Sequence, residues 1–476
     1  MEDLLIGRKR HIAELKEARA SKKPELVALI GRRRIGKTYL VKQVYAQQID
    51  FELIGSQHST MSSQIQNFML NIGKYFPDFE IRHKPSSWTE AFHLLGQALE
   101  TVKKTEKKII FFDELPWLDT KRSNFVAGLS YFWNNWAVNQ NIVVVICGSA
   151  ASWMIQKVVN DRGGLHNRIT KRVHLEPFTL NETEAYFQSK NIIFDKYQIV
   201  KLYMAMGGIP HYLKEIDPAL SAVQNIDAIC FSKQGLLSDE FNRLYPSLFA
   251  NADNHITVVR TLSQKKQGMT RSQISEIGKL GNGGGLSKVL EELTQSGFIS
   301  DYFPFGKKKK EKLYRLTDEY SLFYLQFIER HRFQGGNIWQ HLSQTPAYKT
   351  WSGYAFESIC LKHVERIKQA LGISGIYTLA ASFHKKGTDT DEGVQIDMVF
   401  DRNDHTINLF EIKFYNKPFT ISKDYAEQLR QTTWNFQAET KTVKQVNWVF
   451  ITTFGLVPNV HALGLIAKTL TLDDLF

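Results

Sequence analysis

From the start of the chain to Glu176, apolar positions fall in short uninterrupted runs separated by longer stretches with helical spacing. Runs such as Ile109-Ile-Phe-Phe and Ile142-Val-Val-Val-Ile lack the alternation of a half-exposed strand and predict strands buried on both faces. Five strands are expected, at Glu25–Ile30, Asp50–Ile54, Lys108–Asp113, Ile142–Gly148 and Arg172–Glu176. Alternating with helices, they read as a parallel sheet covered on its faces. From Asn181 to about Ser247 the pattern is helical, broken at Gly207-Gly-Ile-Pro210. Between about His255 and Asp318, three helical stretches precede a hairpin with the lysine-rich turn Lys307–Lys310. A helical connector from Glu319 to about Gln334 leads into a last α/β segment ending at Phe476. That segment predicts a helix over Trp351–Leu371, then strands near Ile376–Ala381, Val394–Phe400 and Ile407–Phe414. A helix at about Lys423–Gln437 and a strand at Val446–Thr452 follow.

The chain has 476 residues, with 60 Lys and Arg against 48 Asp and Glu, a formal net charge of +12. That length suits about three domains at roughly 150 residues each. A charged fraction of 23% and a hydrophobic fraction of 43% exclude wholesale disorder. Cys147, Cys230 and Cys360 are too few and too far apart for a disulfide framework or paired zinc ligands. No stretch approaches the ~18–20 apolar residues of a membrane span, and the N-terminus lacks the basic region and apolar core of a signal peptide. A reduced, cytoplasmic protein without a membrane partner is expected. The positive excess permits a polyanionic partner without identifying it.

Gly31-Arg-Arg-Arg-Ile-Gly36-Lys37-Thr38 fits the phosphate-loop pattern, with a strand entering and a helix leaving. Its glycines let backbone N–H groups curl around phosphate oxygens beside the positive end of the helix. Lys37 would reach the β- and γ-phosphates of ATP, and the Thr38 hydroxyl would ligate Mg²⁺. Lys108-Ile-Ile-Phe-Phe-Asp113-Glu114 is a buried strand ending in two carboxylates, which face the ligand crevice at such a strand end. Asp113 suits the metal side and Glu114 the base that polarises the attacking water.

These residues resemble the AAA+ ATPases and, among them, the STAND-like ATPases abundant in archaea. The resemblance covers about the first 215 residues and implies further roles. Leu5-Ile6-Gly7-Arg8 looks like the nucleotide-base segment, placing Ile6 and Arg8 near the adenine, and the loop itself adds Gly31, Arg34, Ile35 and Gly36 as nucleotide contacts. Ile142-Val-Val-Val-Ile-Cys-Gly-Ser149 resembles the first-sensor strand, putting Ser149 near the γ-phosphate. Arg168 matches the position of an arginine finger, with Arg162 its rival; a finger acting across a subunit boundary implies a homo-oligomer. Gly208-Ile209-Pro210 resembles the Gly-x-Pro turn of the STAND lid, although no clear second-sensor arginine follows it.

The middle stretch reads as a winged helix, with helices at Ile256–Leu262, Arg271–Ile277 (Thr270 as N-cap) and Leu286–Leu293, and wing strands around Lys307–Lys310. DNA reading by its third helix is disfavoured, because that helix offers Lys288 against Glu291 and Glu292, and carboxylates repel phosphate. The lysine wing suits a backbone clamp without sequence preference. The competing reading is a packing and regulatory module.

The C-terminal element order, αβββαβ, resembles the PD-(D/E)XK, restriction-endonuclease-like superfamily through Gln395-Ile-Asp397, Glu411-Ile-Lys413 and Gly353-Tyr-Ala-Phe-Glu357. A hairpin centred on Asp404 sets Asp397 opposite Glu411, with Lys413 on the same face. Two carboxylates and the Ile412 carbonyl can hold Mg²⁺, which also takes phosphate and water. Glu357 would add a ligand, Lys413 would orient water or stabilise developing charge, and Gln428 resembles an accessory position.

The expectation is an α/β chain: a P-loop ATPase core (1–180), a helical lid (181–250), a winged helix with its connector (251–334) and a nuclease-like domain (335–476). ATP state would control a Mg²⁺-dependent nuclease acting on nucleic acid, with DNA the expected target. The alternative is an ATP-driven signalling or nucleic-acid-binding switch that does not cleave.

Overall fold

The computed structural model describes residues 5–120, 122–159, 165, 167–249, 251–306, 311–332, 337–385 and 393–476. Its first sheet contains β1 (Glu25–Ile30), β2 (Ile49–Ile54), β3 (Lys108–Asp113), β4 (Ile142–Gly148) and β5 (Lys171–His174). All are parallel, in the spatial order β2-β3-β4-β1-β5. Helices cover both faces, so successive residues of a strand enter different cores. In β1, Val27 and Leu29 face one core, and Leu26, Ala28 and Ile30 the other. β5 stops at His174 rather than at the expected Glu176. His174 pairs with Ile30, the last residue of β1, and beyond it β1 has become the phosphate loop and offers no further partner.

Two helices follow, Leu180–Ser189 and Lys196–Met206, the first opened by a capping box between Thr179 and Glu182. The next turn packs tightly: Phe178 N–H donates to the Gly208 carbonyl (2.6 Å), and a Cβ at Gly208 would overlap the Phe178 carbonyl. Pro210 then opens a short helix, where its missing N–H costs nothing.

The middle stretch contains helices Asp253–Ser263, Arg271–Ile277 and Gly284–Gln295. Its small antiparallel sheet, ordered β6-β8-β7, consists of β6 (Met269–Thr270), β7 (Ile299–Tyr302) and β8 (Leu313–Leu316). Helix Gly284–Gln295 buries Leu286, Val289, Leu290 and Leu293 and packs against helix Ala151–Met154, just after β4. The lysine turn Lys307–Lys310 lies outside the described residues. Beside it, Phe305 N–H donates to the Ser382 carbonyl (2.9 Å), docking the hairpin on the C-terminal sheet.

That sheet is ordered β13-β12-β11-β10-β9. β9 (Thr378–Lys385), β10 (Val394–Arg402) and β11 (Thr406–Lys413) are antiparallel, and β12 (Gln445–Thr452) and β13 (Ile466–Leu470) continue in parallel. Two features depart from expectation. β13 is additional, and the single helix expected over Trp351–Leu371 is two, Pro346–Lys362 and Val364–Ala370. The break falls at His363, whose ring accepts the distant Leu180 N–H at Nε2 (3.0 Å) while Nδ1 faces the Ile359 carbonyl (2.7 Å). The bonds from His363 N–H to the Ile359 carbonyl (3.1 Å) and from Ile367 N–H to the His363 carbonyl (3.1 Å) run on across it, so the interruption is a local kink.

One buried core runs continuously from Val27 of the first sheet, through Tyr203, Tyr245 and Phe323, to Phe410 and Ile451 of the last. No helix of the described residues is long and apolar enough to cross a membrane.

Candidate functional site

Three adjacent strands deliver the first constellation to one sheet edge. β1 runs into the loop Gly31–Thr38, β3 ends at Asp113, and β4 ends one residue before Ser149. At Gly31 the backbone passes so close to the Leu175 carbonyl that a Cβ would overlap it. Gly36 caps helix Lys37–Tyr45, and Ile35 is buried in the core beneath the loop.

Lys37 is buried, and its ammonium donates to the Gly31 (2.9 Å) and Arg32 (2.8 Å) carbonyls. Burial pushes that amine down, against the pull of Cys147, Glu114 and Asp113. The Thr38 hydroxyl donates to Asp113 Oδ2 (2.5 Å), while the Cys147 thiol, kept protonated by burial and by Asp113, donates to Oδ1 (2.6 Å). Glu114 sits in left-handed backbone (φ 51°), an uncommon state for a non-glycine residue that turns its carboxylate across the edge. Its Oε2 accepts both the N–H (3.0 Å) and the hydroxyl (2.7 Å) of Ser149. A hydroxyl and a carboxylate side by side are hard oxygen donors, which suits Mg²⁺ carried by a triphosphate.

The nearby arginines divide. Arg8 is buried, stacks 4.5 Å over the Phe178 ring, and donates to the carbonyls of Ile35 (3.2 Å) and Glu176, so it braces the loop from beneath. Ile6 lies half-buried nearby in sequence, and Pro210 sits at the start of its short helix. Two arginine side chains of the loop, Arg34 of the expected nucleotide contacts among them, are held by acids outside it. Arg32 is buried, paired with Asp318 and stacked 4.6 Å over Phe298; Arg34 pairs with buried Glu240. In this structure both guanidiniums therefore point to acids outside the loop. Arg168 is exposed in the turn before β5, and Arg162 lies outside the described residues.

The second constellation forms on β10 and β11. Their register pairs Met398 with Phe410 and Asp401 with Ile407, centring the hairpin on Asp404; continued by one residue, it sets Asp397 opposite Glu411. Asp397 Oδ2 accepts the Ile412 N–H (3.0 Å), and Lys413 Nζ lies 2.5 Å from Glu411 Oε1. Helix Pro346–Lys362 packs on β11 and brings Glu357 to the group. Tyr425, which sequence reasoning missed, donates its hydroxyl to Glu411 Oε1 (2.5 Å) from the first turn of helix Lys423–Thr440. Gln428 is exposed on that helix.

Electrostatics bind this group together. Burial pushes the Asp397 carboxyl well above the usual carboxylate range, and Glu357 and Glu411 push it further. Burial carries Glu357 up to about 7, held back by Arg315 and Lys413 and helped by Glu411. Oxygen donors that raise one another's proton affinity fit a divalent cation, which would relieve the repulsion. Among the described residues, however, no group of three or more His, Cys, Asp or Glu is spaced to hold a metal ion. Glu357 therefore does not close a three-acid set with Asp397 and Glu411 here; a cation would rest on two acids with carbonyl, water and phosphate oxygens.

Residues 5–216 match the family model for an ATPase domain predominantly from Archaea. A relative in Methanocaldococcus jannaschii, uncharacterized protein MJECL04, is 22% identical over 90% of this chain and 92% of its own. The Walker-type ATPase paby2304 of Pyrococcus abyssi is 18% identical, with a TM-score of 0.50 over 68% of this chain and 96% of that one. The ORC2 protein of Aeropyrum pernix is 13% identical, with a TM-score of 0.40 over 72% of this chain and 98% of that one. The N-terminal module is an ATPase domain of the P-loop type.

Proposed function

We propose that this protein is an ATP-driven switch whose nucleotide state controls a Mg²⁺-dependent nuclease-like domain at its C-terminus, acting on nucleic acid with DNA the expected target. The observation that carries the reading is the segment 315–319, which touches both constellations. Arg315 donates to Ser358 (2.6 Å), one residue after Glu357 on the same helix. Asp318 pairs with Arg32 of the phosphate loop. Glu319 pairs with Lys362 (2.5 Å), again on the Glu357 helix, and lies against Gly207 of the lid turn. A loop that rearranges around phosphate would pull on this segment, and so on the helix beneath the carboxylates.

In this reading Lys37 and the loop N–H groups bind the phosphates, Thr38 and Asp113 hold the metal, Ser149 fixes Glu114, and Glu114 polarises water. Exposed Arg168 suits a finger that reaches a neighbouring copy, which makes a homo-oligomer the expected active form. At the second site Mg²⁺ would supply Lewis-acid activation of the scissile phosphate. Asp397, Glu411 and the Ile412 carbonyl would bind it, and Lys413 would stabilise charge on the phosphoryl oxygens. The middle stretch then serves as the winged-helix-like coupling module. Its third helix packs against helix Ala151–Met154 and leaves Lys288 and Glu291 exposed, and that carboxylate argues against an operator-reading regulator.

A second reading, a switch that binds without cutting, is favoured by the absence of a three-acid set among the described residues and by the double use of Glu411 Oε1. Cleavage assays on the full chain separate the two, with Mg²⁺ or Mn²⁺, with and without ATP, on single- and double-stranded DNA and RNA. Cutting is expected, lost in Asp397→Ala and Lys413→Ala and no longer nucleotide-dependent in Lys37→Ala. Failure of the wild type to cut any substrate would select the second reading.

A further inference from the structure

A cavity of about 650 Å³ separates the middle stretch from the C-terminal sheet. Lys265, Lys266 and Arg315 line it together with Tyr354, Glu357 and Asp397. It therefore opens onto the acids of the second constellation, but its cations come from a different part of the chain. We propose that this cleft admits a single nucleic-acid strand, with Lys266 and Arg315 holding its phosphates and Tyr354 offering a face to a base. The inference rests on the nucleic-acid reading of that site.

Charge supplies the first argument. A phosphodiester approaching Asp397 and Glu357 meets repulsion, and Lys413 is already engaged by Glu411. Lys266 and Arg315 lie close enough for their charges to bear on Glu357, so a phosphate in the cleft would meet these cations beside, and through a metal, the acids. Chemistry of the walls supplies the second. The Lys266 ammonium sits 3.6 Å over the Tyr354 ring centroid. A phosphate oxygen outcompetes a ring face for an ammonium, and drawing Lys266 aside uncovers an aromatic platform for stacking. Arg315 is held in place by Ser358 (2.6 Å), so it meets a phosphate in a fixed orientation.

Size decides which form of nucleic acid enters. The cavity falls within the range of roughly 300–1,000 Å³ that accommodates small ligands, far short of a duplex. Its walls are tied directly, by Gln267 Nε2 to Gln395 Oε1 (2.6 Å) and by Phe305 N–H to the Ser382 carbonyl (2.9 Å). Those ties hold the middle stretch and the C-terminal sheet together beside the cleft.

The test is fluorescence anisotropy of a 5′-labelled oligothymidylate on the full chain carrying Asp397→Asn, so that binding is read without cutting. Tighter binding of the single strand than of the matching duplex is expected. Lys266→Glu should weaken single-strand affinity at least about tenfold, and Lys266→Ala should reduce the salt slope by about 0.7, the value of one lost phosphate contact on a single strand. Lys266→Arg should restore both. Equal binding of duplex, no binding of either form, an unchanged slope in Lys266→Ala, or displacement of the strand by ATP in Lys37→Ala would each overturn the proposal. If Lys266→Glu loses affinity while wild type cuts nothing, the nuclease reading falls and the cleft stands. If wild type cuts and Lys266→Glu keeps its affinity, the cleft falls alone.

Discussion

Arg32 has its guanidinium fully enclosed, and its charge is tolerated because Asp318 stands against it. Burial pulls the guanidinium's proton affinity down, yet Asp318, helped by Tyr212, raises it overall; the same pairing holds the Asp318 carboxyl below its usual range against burial. Removing one partner of such a pair leaves an uncompensated buried charge, typically a loss of about 3–5 kcal/mol, while replacing both with apolar groups is often near neutral. Asp318→Ala is therefore expected to destabilise the chain far more than Arg32→Met combined with Asp318→Leu, as measured by urea denaturation. Equal losses in the single and double variants would show that the pair contributes only packing. Sequence alone could not reveal it, since the partners are 286 residues apart and an arginine beside a phosphate loop reads naturally as a phosphate ligand. Lys37, Thr38, Asp113 and Glu114 were legible because one loop and one strand end specify them locally. Tyr425 was not: it reaches Glu411 only because a helix packs back over β11.

At the scale of elements, legibility follows how locally each is determined. The β10–β11 register could be counted from the sequence because a tight hairpin leaves a single symmetric pairing. β13 could not, because it is an edge strand beside β12 across a long connection and is only partly buried. The kink at His363 is a third case, at a residue whose ring accepts a hydrogen bond from distant Leu180. Burial lowers that imidazole's pKa to about 4, from 6.5 for an ordinary histidine. Between those values the unfolded chain binds more protons than the folded one, so stability rises with pH across the window and is lost as pH falls from about 6.5 towards 4. The full loss amounts to roughly 3 kcal/mol. His363→Gln is expected to be less stable than wild type near neutral pH and to lose less on acidification. Parallel stability curves for the two chains across that range would remove His363 as the source of the acid sensitivity.

The continuous core makes the chain one mechanical body rather than tethered modules. The C-terminal sheet segment is fastened to helix Lys196–Met206 by Phe414 stacked on Tyr197 (5.2 Å) and by Lys196 on Asp473 (2.7 Å). It is fastened to the middle stretch by Phe305 on Phe436 (5.3 Å), and the middle stretch in turn to the phosphate loop through Asp318. The +12 surplus is correspondingly not one surface: Arg32 and Arg34 are spent on internal pairs, and Lys266 and Arg315 face the cleft. If the loop and the cleft are two states of one body, their ligands must be linked reciprocally: the factor by which ATP changes strand affinity equals the factor by which strand changes ATP affinity. In the Asp397→Asn background, titrating each ligand with and without saturating amounts of the other should give the same factor, at least about fivefold for a typical coupling of 1–3 kcal/mol. Asp318→Asn should bring both factors towards one, because it loosens the tie between the phosphate loop and the cleft; the affinity for each ligand alone, measured in parallel, separates this from a direct effect on Arg32 in the loop. A coupling that survives Asp318→Asn unchanged would route the signal elsewhere, through the contact of Tyr197 and Phe414.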